Sequence, residues 1–175
     1  MLIEFNGKKP KVSENAFIAP NATLIGDVTV GEGSSIWFGA QLRADFGKIV
    51  VGKGSSIQDN AVVHVLPGGQ TTIEDHVTVA HGAVIHNAIL RKGCLIGMNA
   101  AILDNAVVGE QAMVAAGSVV TDGTEISARH LVTGSPAKPK KEISGNSRWW
   151  VEQSAEIYIQ LAQAYLKAGI GTVRG

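Results

Sequence analysis

An aliphatic residue returns at every sixth position through most of this chain, and no other feature limits its fold so tightly. Ile18, Leu24, Val30, Ile36 and Leu42 open the series. A small residue or Val stands two positions before each: Ala16, Ala22, Val28, Ser34 and Ala40. The register restarts at Val51, Ile57 and Val63, and again at Ile73, Val79 and Ile85. It slips by one at Leu90 and continues through Ile96, Ile102, Val108, Val114 and Val120. A short fixed period of this kind is the mark of a repeat architecture. Six residues make one short strand and one tight turn. Three such units close a triangular coil, and stacked coils form a parallel β-helix whose interior takes the aliphatic side chains.

Two interruptions and two ends complete the plan. Residues 1 to about 15 read as an extended cap over the first coil. Asp45-Phe46-Gly47 breaks the period and is expected to bulge outwards as a short loop. Leu66-Pro67-Gly68-Gly69 is a second insertion made of turn residues. The longest regular run is expected from 71 to about 121, after which residues 122–146 leave the pattern. From about Ser147 the apolar spacing becomes helical. Trp150, Val151, Ser154, Ile157, Tyr158, Leu161 and Tyr165 fall on one face, with Ser144 or Asn146 as the start signal and Gly169 as the stop. The plan is one domain: a β-helix with its cap over 1–146 and a helix over 147–175 lying along the prism.

Charge excludes some partners. The chain of 175 residues carries 15 basic and 15 acidic side chains, so nothing suggests a nucleic-acid surface. Apolar content is 45%, but no unbroken apolar run reaches membrane-spanning length. The first residues lack the basic and apolar regions of a signal peptide. The single cysteine, Cys94, allows no internal disulfide and sits in an inward small-residue slot, which reads as a buried core thiol. Cytoplasm is the expected compartment.

The candidate chemistry lies between His64 and His86. His64 follows Val63 and His86 follows Ile85, and those two aliphatics are three strands apart, on the same prism face. The two imidazoles therefore stand one above the other in adjacent coils, separated by about 4.8 Å of strand spacing. That suits two ligands of one metal ion at Zn–N distances of about 2.0–2.1 Å. Arg43, directly after Leu42, falls in the same column one coil lower. His81 follows Val79 by two residues and lies on the preceding face, out of reach of the same ion on a straight prism. Three prisms packed about a threefold axis would let His81 of one chain complete the site of another. Asp59 lies below His81 in its column, with Gln58 beside it. Asp59 can orient an imidazole or pair with an arginine across the interface. Gln58 can bond a metal-held water or an oxyanion. Arg43 and Asp45 can form an ion pair, within one chain or between two. His76 and His130 do not join this geometry.

These residues resemble those of the γ-class carbonic anhydrases and their bacterial relatives. The matching motifs are Arg43-Ala44-Asp45, Ile57-Gln58-Asp59-Asn60, His64, the run from Val77 to His86, Gly97-Met98, and the exit Gly134-Ser135-Pro136-Ala137-Lys138. The resemblance covers nearly the whole chain. It implies an all-β fold, a left-handed parallel β-helix of hexapeptide repeats with a C-terminal helix packed on it. It implies a homotrimer with zinc or iron at each subunit interface, held by His64 and His86 of one chain and His81 of its neighbour; cobalt also accepts imidazole ligands. It assigns Gln58 to the hydroxide or bicarbonate, and Arg43, Asp45 and Asp59 to the interface network. Tyr158 is similar to a tyrosine that some relatives place over the metal. The implied reaction is the metal-dependent hydration of carbon dioxide to bicarbonate.

The chain departs from that family in its two insertions. The archetypal active enzyme carries proton-relaying carboxylates there, whereas this chain has Phe46-Gly47 and Leu66-Pro67-Gly68-Gly69. Ala44 and Ala80 stand where Gly is common. The expected consequence is modest turnover that buffer rescues. The short Asp45-Phe46-Gly47 segment resembles the subgroup linked to phenylacetate and carnitine metabolism, which implies acyl-CoA thioester hydrolysis as an alternative on the same site. A metal-free hexapeptide acyltransferase and a scaffold with a vestigial site are the remaining alternatives.

Overall fold

A computed structural model describes residues 1–171. The strands form a parallel β-solenoid of hexapeptide coils whose three flat faces are stacked ladders. The first face carries Val62–His64, Val84–His86, Ala101–Ile102 and Val119–Val120. The second carries Phe17–Ile18, Ser35–Ile36, Ser56–Ile57, Thr78–Val79, Leu95–Ile96, Met113–Val114 and His130–Gly134. The third carries Gln70–Ile73, Ile89–Leu90, Val107–Val108 and Glu125–Ile126. The long strands Thr23–Val30 and Gln41–Val51 run round a corner and join the first face to the third.

The period-six aliphatics meet inside. Leu24, Ile36, Leu42, Ile57, Val63, Ile73, Ile85, Ile96 and Ile102 are wholly buried, and each stacks on its equivalent in the next coil. Burying one such side chain is worth about 1.5–3 kcal/mol, so each coil stabilises its neighbours rather than itself. The corners take the small residues: Ala61, Ala83, Ala100 and Ala106 are all fully buried. Cys94 occupies one of these slots, and burial pushes its thiol well above the ordinary cysteine range.

The two interruptions differ in form. Asp45-Phe46-Gly47 is not a separate loop but part of the strand Gln41–Val51. Ala44 pairs with Gly26 and Ile49 with Val28, so Asp45 through Lys48 face Asp27 alone and the strand bulges. Phe46 stands out in solvent. Leu66–Gly69 is a turn, closed by the Gly69 amide on the Leu66 carbonyl at 2.9 Å. The Gly68 amide reaches the Phe46 carbonyl at 2.9 Å, so the two insertions support each other.

The coils run further than the hexad suggests. Ile126 pairs with Val108, and Val132 with Val114, well beyond residue 121. The chain then turns back as the antiparallel strand Ala137–Glu142 and enters a helix, Gly145–Lys167. Ser147 Oγ accepts the Ser144 amide at its start, and Gly169, with φ 74°, follows its end. The helix lies on the second face, where Thr78 and Ser154 share a hydrogen bond of 2.8 Å. Its buried face is rotated from the expected one. Val151, Ser154, Ala155 and Ala162 are buried, while Trp150, Ile157 and Leu161 are exposed. The small Ala155 and Ala162 let the helix approach the prism closely, which the bulkier exposed residues would not.

Candidate metal centre

His64 and His86 are direct partners in the parallel ladder of the first face. The register is fixed from inside, because Val63 and Ile85 are buried and a one-residue slip would turn them outwards. Both imidazoles therefore emerge on one side of the sheet. His64 Nδ1 and His86 Nε2 stand 3.0 Å apart. The outer nitrogens are also engaged. His64 Nε2 donates to Asp45 at 2.9 Å, and His86 Nδ1 donates to Asp104. Asp45 in turn accepts from the Arg43 guanidinium of the same chain. Burial alone would raise the Asp45 pKa, but its bonds to His64 and Arg43 outweigh this and hold it below the usual carboxylate range.

His81 is set apart, as the period requires. It follows Thr78–Val79 at the corner between the second and first faces. Gly82 turns the chain there with φ 68°, a conformation that suits glycine. His81 Nδ1 bonds Asp59 at 2.9 Å, from the coil below. Its Nε2 points out toward the Tyr158 hydroxyl, 3.5 Å away. Tyr158 is held from behind by the edge of Trp37, with ring centroids 5.5 Å apart. Burial, with the nearby Asp59 carboxylate, raises the Tyr158 pKa. Gln58 is buried beside His81. A cavity of about 250 Å³ opens there, lined by Gln58, His81, Leu95, Met98, Trp150 and Tyr158 among others.

The residues singled out in the sequence thus form two clusters. Arg43, Asp45, His64 and His86 make one, joined by hydrogen bonds. Gln58, Asp59, His81 and Tyr158 make the other. Among the described residues of one chain, no three His, Cys, Asp or Glu side chains converge on a point. Asp104 is the residue that sequence reasoning missed. It lies one coil up but one residue past the position in line with His86, because the slip at Leu90 shortens that coil to 17 residues, so the period alone did not single it out.

The first cluster fits a divalent cation. Two nitrogens on one tetrahedral ion, each at about 2.0–2.1 Å, are separated by roughly 3.3 Å. The facing nitrogens are already near that spacing. A carboxylate on the far nitrogen of each ring is the usual support for a metal-bound imidazole.

Comparison with known proteins agrees on the architecture. The family model for bacterial transferase hexapeptides, six repeats, matches residues 9–44 and 87–122. The chain is 44% identical over 164 residues to the mitochondrial γ carbonic anhydrase 2 of Arabidopsis thaliana, covering 90% of this chain and 59% of that one. It is 41% identical over 165 residues to a carbonic anhydrase of Geobacillus kaustophilus, covering 94% of this chain and 91% of that one. It is 38% identical to the carnitine operon protein CaiE of a Proteus species, over 90% of this chain and 80% of that one. A solved structure of a hexapeptide transferase family protein from Anaplasma phagocytophilum superposes with a TM-score of 0.91 at 41% identity, covering 94% of this chain and 98% of that one. The chain thus spans 59% of the plant relative's length but nearly all of the bacterial carbonic anhydrase.

Proposed function

The chain belongs to the γ carbonic anhydrase family of hexapeptide-repeat proteins, and from that premise we propose that it hydrates carbon dioxide to bicarbonate at a metal site shared between subunits. The observation that carries the reading is the His64–His86 pair, with two ring nitrogens converging and a carboxylate behind each ring. His64 and His86 would hold the ion from one chain. His81, offered outward at the corner, would supply the third nitrogen to a neighbour in a homotrimer. Zinc, iron(II) and cobalt all accept three imidazoles, and zinc is our first choice. A divalent ion there supplies Lewis-acid activation, which makes water nucleophilic near neutral pH.

The remaining work falls to the chain. Asp45 and Asp59 fix the orientation of His64 and His81, and Arg43 fixes Asp45. Gln58 lines the cavity beside His81, where its carboxamide can donate to an oxygen of bicarbonate. Water adds through oxygen to the carbon of carbon dioxide, and the proton released must reach bulk solvent. Phe46 and Leu66–Gly69, which border the first cluster, offer no carboxylate to carry it. Proton escape should therefore limit turnover.

A second reading keeps the site and changes the electrophile to an acyl thioester. The cavity favours it, because Leu95, Met98 and Trp150 give it an apolar wall that carbon dioxide does not need.

The deciding experiment measures metal per chain and mass in solution, then stopped-flow hydration against buffer concentration, with acyl-CoA hydrolysis in parallel. About one metal per chain, a trimeric mass and hydration that rises with buffer support the first reading. Thioester turnover without hydration supports the second. Absence of metal, with none taken up from added zinc, iron(II) or cobalt, overturns both.

A further inference from the structure

The hydrogen bonds through the histidine pair dictate which nitrogens carry protons. An ionised carboxylate only accepts, so a ring nitrogen that faces one must bear the hydrogen. His64 faces Asp45 through Nε2, and His86 faces Asp104 through Nδ1. In a neutral imidazole the other nitrogen is then a bare lone pair. The two bare nitrogens, His64 Nδ1 and His86 Nε2, are the ones that stand 3.0 Å apart. Two lone pairs aimed at each other across that distance repel unless a cation lies between them.

We propose that Asp104 is a positioning residue that locks His86 in its Nδ1–H form, so that the His86 and His64 lone pairs converge on one cation. The inference rests on the metal reading above and adds to it a residue that acts only through His86. Asp104 is placed by the fold rather than by attraction alone. It follows the strand Ala101–Ile102, which pairs with Val84–Ile85 directly below. Asn105 then turns the corner with φ 58°, and the Asp104 carbonyl is held by the Gly123 amide at 2.8 Å. The carboxylate is therefore delivered one coil above His86, just as Asp45 is delivered on the other side of His64. His81 repeats the arrangement with Asp59 on its Nδ1.

The test uses Asp104→Asn and Asp104→Glu in the full chain. The amide of Asp104→Asn can turn its NH₂ to His86 Nδ1. That reverses the tautomer, and the new Nε2–H then donates to His64 Nδ1 and fills the gap the cation needs. Zinc affinity of Asp104→Asn, measured by competition with a chelator, is expected to fall about 10–100-fold. Asp104→Glu is expected to recover part of the loss. Nitrogen-15 shifts of His86 in metal-free protein at alkaline pH should report Nδ1–H in the wild type and Nε2–H in Asp104→Asn. Circular dichroism and mass in solution check that both variants fold and assemble. Zinc binding by folded Asp104→Asn within about twofold of wild type, or Nε2–H at His86 in the wild type, overturns the proposal. Wild-type protein that takes up no divalent metal overturns the metal reading and the cation role together, while the tautomer is still decided by the nitrogen shifts.

Discussion

His64 and His86 sit on a flat face and His81 at a corner, and the two settings hold imidazoles in different ways. On the face, the ladder fixes both backbones and every ring nitrogen has a neighbour. The side chains of His64 and His86 are 13% and 29% exposed. At the corner, His81 is 46% exposed, anchored on one nitrogen and nearly free on the other. In the proposed site the paired pocket and the outward donor would be complementary halves, and one chain carries both in places that do not meet. The corner turn that supports the coil is also what carries His81 away from its own pair.

The largest expected effects come from deleting either half. His86→Ala and His81→Ala should each lose zinc and hydration activity, since a three-nitrogen site does not survive as two. The halves can then be told apart by mixing. A co-refolded equal mixture of the two variants places an intact pair beside an intact His81 in about a quarter of random interfaces of a cyclic trimer. Zinc content near that fraction is expected. If mixed trimers are verified by mass and still bind no zinc, the donor does not cross subunits.

Next come the supporting carboxylates. Asp45→Asn and Asp59→Asn should each weaken zinc binding by about 10–100-fold, with Asp45 nearer the upper figure. Its side chain is 17% exposed against 37% for Asp59, and it bonds one of the two paired histidines. Calorimetric titration of both variants measures the order. A larger loss for Asp59→Asn would mean that the corner histidine, not the pair, is the better-organised half.

Much of this contrast was legible in the sequence because it follows from counting. Val63 and Ile85 must both point inwards, so His64 and His86 must both point outwards, one above the other. The same count put His81 one corner away with Asp59 beneath it. What was not legible depended on space rather than period. Asp104 lies beyond the one-residue slip at Leu90, so its column is clear only once the coils are stacked. The last coils were missed because Thr124, Glu125 and Ser127 dilute the aliphatic signal around Ile126. On the helix, apolar spacing could not say that the small Ala155 and Ala162 would face the prism while Ile157 and Leu161 faced away.

The smallest expected effect tests whether the corner donor is held in place by anything besides Asp59. Tyr158 packs its ring against Trp37 and extends its hydroxyl to 3.5 Å from His81 Nε2. At that length the hydrogen bond is weak, and Tyr158→Phe keeps the ring. Stability should change by no more than about 1 kcal/mol, and zinc affinity by no more than about threefold, a fraction of the 10–100-fold cost of losing a carboxylate support. The raised Tyr158 pKa, from burial first and the Asp59 charge second, keeps the phenol protonated beyond its ordinary value of about 10. The phenol is then the form present around neutral pH, and the pH–rate curves of Tyr158→Phe and wild type should run parallel from about pH 6 to 8. Curves that diverge would make Tyr158 a proton-transfer group and the corner a catalytic position in its own right, whereas parallel curves leave His81 as a donor whose aim is set by Asp59 and the turn at Gly82.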